Sequence, residues 1–195
     1  MTTTTKKKTK TVKAKATSIP NLPKIPFAFE VFDAASKQRT KAKKVEVLQR
    51  YAHDSIMALL IWNFDESVVS LLPPGEVPYG NNKEDSMVTG TLSDKINDAV
   101  GKMSEMGSTS LGSQDQGQAS IRKEYTKFYN FLKGGNNGLS SLRRETMFIN
   151  ILEGLHPLEA EILILVKDKK LTDKYKITKE IASAAYPQIT WGGRS

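Results

Sequence analysis

The tightest constraint on this chain is a helical spacing of apolar residues that recurs through its last third. Ile121, Tyr125, Phe128 and Leu132 fall at i, i+4, i+7 and i+11, which puts them on one helix face. The run Gly134-Gly135-Asn136-Asn137-Gly138 ends that helix. Ser141 is the predicted N-cap of the next, with Phe148, Ile149, Leu152 and Leu155 facing a core. Pro157 fits the first position of a further helix. Leu158, Ile162, Leu165 and Val166 form its main stripe, and Leu163 and Ile164 fill most of the rest. So apolar a helix belongs at the centre of a fold, although Ile162–Val166 taken alone also fits a short strand. Thr178 is predicted to cap a last helix, with Ile181, Ala182 and Ala185 inward and Pro187 at its end.

The first half repeats the pattern less cleanly. A short helix is expected over Phe27–Ala35 and a longer one over Lys41–Trp62, where Val45, Leu48, Ala52, Ile56 and Leu59 make a stripe. A third piece is expected over Asp65–Leu72, stopped by Pro73-Pro74-Gly75. Residues 73–118 are rich in Gly, Ser, Asn, Asp and Pro and read as a long polar insertion. Within it, Ser93 is placed to cap one short helix carrying Leu92, Ile96, Val100 and Met103, and Gly107–Gln118 reads as flexible linker. The expected fold is therefore mainly α: a single helical domain of about five to seven helices over residues 27–190. An arm and proline linker at 1–26 precede it, and a tail at 191–195 follows.

Charge is partitioned sharply along the chain. The net charge is +8, yet residues 1–24 hold seven lysines and no acidic residue. The other 22 basic and 21 acidic residues nearly cancel. Within the arm, Lys6, Lys7, Lys8, Lys10, Lys13 and Lys15 stand among threonines, with too little apolar surface to offset ordering, so the free arm should be disordered. Such an arm suits a polyanion, because each phosphate neutralised releases counterions. The same composition also suits a solubilising tail or a segment that wraps a protein. Ser18–Pro26 reads as an extended linker. A second basic cluster follows in Lys37, Arg39, Lys41, Lys43 and Lys44, and Arg143-Arg144 opens a helix where positive charge is mildly unfavourable. Lys41, Lys43, Lys44, Arg143 and Arg144 are the lesser candidates for phosphate contact.

The residue patterns that carry chemistry do not converge on a catalytic set. With no cysteine, disulfides, Cys-ligated zinc, iron–sulfur clusters and thiol nucleophiles are excluded. Gly107 and Gly112 have phosphate-loop spacing, but Ser113-Gln114 follow where the loop needs Lys-Ser/Thr. Glu153-x-x-His156 has the spacing of a di-metal carboxylate site, but the second copy such a site needs is missing, since His53 has Arg50 three residues before it. His156 reads better as a capping or turn residue. Glu159 and Glu161 point to different sides of a helix, and Asp65-Glu66 and Glu84-Asp85 read as solvated pairs. Basic and aromatic residues interleave from Arg122 to Lys133, as in single-strand binders, but Tyr125 and Phe128 lie on the core stripe. The expectation is a non-enzyme with no metal and no cofactor. The longest apolar runs, Ile56–Trp62 and Ile162–Val166, are too short to span a membrane, and the charged N-terminus has no apolar stretch of a secretory signal.

Several segments together carry a resemblance. These are Leu71-Leu72-Pro73-Pro74-Gly75 with Pro78-Tyr79, Lys127-Phe128-Tyr129-Asn130-Phe131-Leu132, Leu142-Arg143-Arg144-Glu145, Phe148 through Pro157, Glu159-Ala160-Glu161 and Val166-Lys167-Asp168-Lys169. The chain resembles a family of small proteins of unknown function carried by tailed bacteriophages, marine phages included. The resemblance covers most of residues 27–190, is most specific at 142–170, and leaves out the lysine arm. It implies a phage product made in the host bacterial cytoplasm, and transfers no catalytic residue. Two roles fit. One is an accessory protein that docks on a phage or host protein assembly and contacts nucleic acid through its arm. The other is a virion component of neck, tail or capsid, whose arm and insertion become ordered on neighbouring subunits.

Overall fold

The computed structural model describes residues 19–75 and 119–193. The lysines of the arm and the helix expected near residues 92–103 lie outside the described residues. The described chain is helical: α1 (Ala28–Ser36), α2 (Lys41–Arg50), α3 (Asp54–Phe64), α4 (Ile121–Glu124), α5 (Ser141–Gly154), α6 (Pro157–Lys167), α7 (Leu171–Tyr175) and α8 (Lys179–Ala185). A 3-10 segment, Tyr125–Phe131, continues α4. A mainly α fold is thus what forms, and Ile162–Val166 is helix, not strand.

The centre is α6. It packs against α1, α3, α5 and α7, and Ala160, Ile162, Leu163 and Val166 have no exposed surface. A helix covered on most sides has no polar face to spare, which is why its apolar residues run together. Its start follows from the sequence: Pro157 stands at the first position and His156 Nδ1 accepts the Leu158 N–H at 3.2 Å. Around it, α1 lies on α2, and α2 on α8. An aromatic group of Trp62, Phe128, Phe131 and Phe148 joins α3, the 3-10 segment and α5, with ring centroids 5.1–6.2 Å apart.

Four expectations are corrected. The helix over Lys41–Trp62 is two helices broken at Tyr51-Ala52-His53, and Ala52 is exposed instead of on a core stripe. The cause is a cap inside the pattern: His53 Nδ1 accepts the Ser55 N–H at 3.1 Å, and Asp54 favours a helix start. The break frees α2 to face α1 and α8 while α3 faces α6.

Asp65–Leu72 is not a helix. Asp65 is buried, and its Oδ1 accepts the Ser67 N–H at 3.0 Å and the Ser67 hydroxyl at 2.7 Å, a local turn that competes with helix formation. The chain then runs extended. Val68 and Leu72 are buried, Val69 and Leu71 exposed, and Ser70 forms an antiparallel bridge with Leu132. The stripe from Ile121 to Leu132 tightens into 3-10 geometry after one α-turn, so Phe128 and Phe131, three apart, become the buried pair. In α5, Ser140 and not Ser141 is the cap, and Ile151 is buried where Ile149 is only partly so.

Residues 19–22 and 191–193 are held against the body. Tyr51 Oη accepts the Leu22 N–H and donates to the Pro20 carbonyl, both at 2.9 Å. Trp191 packs on the core, and the Gly192 N–H donates to Asp65 Oδ2 at 3.0 Å.

The turn after the 3-10 segment needs glycine by proximity. A Cβ on Gly135 would stand 1.9 Å from the Tyr129 carbonyl oxygen, a backbone atom that cannot swing aside. Gly135→Ala is expected to cost about 1–3 kcal/mol, the usual penalty of forced overpacking. Gly138→Ala, whose Cβ would meet only Asn136 Oδ1 at 3.7 Å, should cost less. Equal denaturant midpoints for the two variants would refute that reading.

Candidate nucleic-acid interface and buried charged groups

The basic residues expected to meet phosphate fall into two groups among the described residues. Lys41 pairs with Glu180 of α8 at 3.1 Å, on an exposed surface where such a pair is worth about 0–1 kcal/mol. Lys44 Nζ donates to the Lys176 carbonyl at 2.8 Å. Both therefore tie α2 to the segment around α8. Lys37 pairs with Asp33 one turn back at 2.6 Å.

Arg143 and Arg144 separate completely. Arg143 is exposed. Arg144 is buried, and its guanidinium donates to the carbonyls of Asn130 at 2.8 Å, Leu139 at 3.0 Å and Asn136 at 3.1 Å. Arg144 is accordingly corrected from a phosphate candidate to the residue that closes the 130–139 loop. Asn136 Nδ2 reinforces it by donating to Asn130 Oδ1 at 2.8 Å. Of the aromatics interleaved with basic residues, Phe128 is buried and Tyr129 is exposed.

Besides Arg144, three buried charged positions were not read as such in the sequence. Glu159, in the first turn of α6, is 1% exposed. Its Oε1 accepts the Ala28 N–H at 3.1 Å and its Oε2 the Ile121 N–H at 2.9 Å. Burial pushes its carboxyl up to about 7, with a smaller upward contribution from Glu30, against the two N–H bonds and Arg122. Burial also raises Glu30, whose Oε2 accepts the Phe27 N–H at 2.8 Å.

At the other end of α6, the Lys167 ammonium is enclosed. It meets Asp168 Oδ1 at 2.5 Å and donates to the carbonyls of Pro73 at 2.7 Å and Gly75 at 3.1 Å. Asp168 Oδ2 in turn accepts the Gly75 N–H at 3.2 Å. Asp65, expected in solvent, is the third. The signal for two of them was present: Glu159 and Lys167 sit at helical spacing with Ile162, Leu163 and Val166, charges on a core stripe.

His53 and Ser55 come within 2.8 Å, a distance a nucleophile and its base share. Here the arrangement caps α3: Nδ1 also takes the Ser55 N–H, and Ser55 is buried. Burial, and then the charge of Arg122, lower the His53 pKa, with Asp54 opposing. Glu153, exposed, and His156, a buried cap, do not converge. Among the described residues, no group of three metal-capable side chains occurs, and no helix is long and apolar enough to cross a membrane.

These features define a small, mainly helical protein, built round one enclosed helix, whose buried charges hold its own backbone. The chain belongs to DUF6433, a family of unknown function, whose model matches residues 31–100 and 108–173. Comparison with curated proteins and with solved structures returns no match.

Proposed function

We propose that this chain is a non-enzymatic accessory protein of a tailed bacteriophage, docking its helical body on a larger protein assembly and contacting nucleic acid through its basic N-terminal arm. The observation that carries the reading is the partition of charge: seven lysines without one acidic residue in the first 24 positions, ahead of a body close to neutral. The body adds to it by what it leaves over. Arg144 is consumed by loop carbonyls, and Lys41 and Lys44 already have partners on the fold. Phosphate contact then falls to Lys6, Lys7, Lys8, Lys10, Lys13 and Lys15, with Arg143 as an exposed auxiliary.

Deleting residues 1–16 removes six lysines. On duplex DNA, the slope of log K against log salt concentration should flatten by up to about five, and low-salt affinity should fall. Unchanged affinity and slope on both DNA and RNA would overturn the assignment. Mass spectrometry of purified particles separates this role from the virion one. A fixed copy number relative to the major capsid protein would make the chain a structural component, its arm lying on neighbouring subunits.

A further inference from the structure

One carboxylate closes the starts of two helices that are far apart in the chain. Ala28 and Ile121 are the first residues of α1 and α4, and the first N–H groups of a helix have no partner within it. Glu159 offers one oxygen to each, across 131 residues in one case and 38 in the other. Both helix starts favour the negative charge they find there. Where the chain returns to the body at residues 119–121, two backbone hydrogen bonds accompany the packing of the buried Ile121: Ile121 on Glu159, and the Ala119 N–H on the Gly154 carbonyl at 3.0 Å.

We propose that Glu159 is a proton-operated latch: ionised, it ties the first turns of α1 and α4 to α6, and on taking up a proton it lets one of them go. The reason is the inventory of the acid. A carboxylate accepts strongly at both oxygens, whereas a carboxylic acid turns one oxygen into a hydroxyl donor that is a much poorer acceptor, which weakens its bond to an N–H. The charged and titratable groups around it are Glu30 from α1, Arg122 from α4 and, at the N-cap of α6, His156, whose ring stacks on Phe29 with centroids 5.1 Å apart. Glu30 opposes ionisation and Arg122 favours it. The enclosed site moves the change up to about 7, well above an ordinary carboxylate.

Global stability is a blurred readout of this step. Glu159 is raised, so its contribution to stability is fully present below the ordinary carboxylate range near pH 4.5 and is lost as pH rises through about 7. His53 is lowered, so its contribution runs the other way, present above its ordinary value near 6.5 and lost as pH falls below that and through its lowered value. A local readout resolves them. In the full-length protein, NMR should show the Glu159 side-chain carboxyl carbon titrating near pH 7. The Ala28 and Ile121 amide protons should shift with the same midpoint, and one of them should lose protection from exchange in excess of the intrinsic pH effect.

In Glu159→Gln the shared midpoint should vanish from both amides. A Glu159 carboxyl titrating near pH 4.5 in the wild type would overturn the latch, and that measurement needs no variant. Amide midpoints that persist in Glu159→Gln would also overturn it, assigning the response to His156 or Glu30.

Discussion

Leu163→Ala is expected to destabilise the protein by about 2–5 kcal/mol, the range for a fully enclosed leucine whose surroundings cannot collapse into the void. For a chain of this length that lowers the melting temperature by roughly 5–20 °C. The expectation rests on position within α6. Leu163 has no exposed surface, while the next residue, Ile164, is partly exposed although it belongs to the same apolar run. Ile164→Ala should accordingly cost clearly less. Leu152→Ala, from the facing helix α5 and also fully buried, should match Leu163→Ala. The measurement is chemical denaturation of all three variants at one pH, with midpoint and slope fitted separately. Equal costs for Leu163 and Ile164 would mean that α6 is covered evenly on all sides, and that the exposed edge assigned to it is wrong.

What the sequence disclosed about the fold followed from periodicity, and what it hid followed from polar groups acting inside the periodic stretches. The centre of the molecule was legible because Ile162–Val166 leaves a helix no polar side, and Pro157 marks where that helix begins. The break at Tyr51-Ala52-His53 was not, because Val45, Leu48, Ile56 and Leu59 keep helical spacing across it. The cap by His53 is a single hydrogen bond that no apolar count registers. Asp65 misled in the same way: placed before an apolar stretch it resembles a helix start, whereas its carboxylate binds Ser67 and Gly192 and turns the chain. Arg144 and Arg143 are neighbours of one type, and nothing in their identity says that one is enclosed by carbonyls and the other faces solvent. The charges on the α6 core stripe are the instructive case. Glu159 and Lys167 violate the apolar pattern, and each violation is matched by backbone groups from far along the chain, which a local reading cannot supply. The arm is the reverse case, legible as composition and lying outside the described residues.

Removing the Lys167 ammonium is expected to cost about 3–5 kcal/mol, as when one member of a buried pair is taken away and the other is left uncompensated. Its side chain is 1% exposed and that of Asp168 10%. The three ammonium protons have three acceptors: Asp168 Oδ1 and the carbonyls of Pro73 and Gly75. Lys167→Met keeps the length of the stem and deletes the charge, so it isolates the electrostatic loss from a cavity. The double variant Lys167→Met/Asp168→Asn should recover part of the loss, by about 1–3 kcal/mol, because it removes the stranded carboxylate as well. Lys167→Arg should not restore the wild type: a planar guanidinium cannot direct three donors at the converging acceptors that a compact ammonium serves. Denaturation of the four proteins completes the cycle. If Lys167→Met costs less than about 1 kcal/mol, the pair behaves like a surface ion pair. In that case the hold of α6 on the Pro73–Gly75 turn comes from the Asp168 bond to the Gly75 N–H, and Asp168→Ala, which removes that acceptor, would be the damaging change.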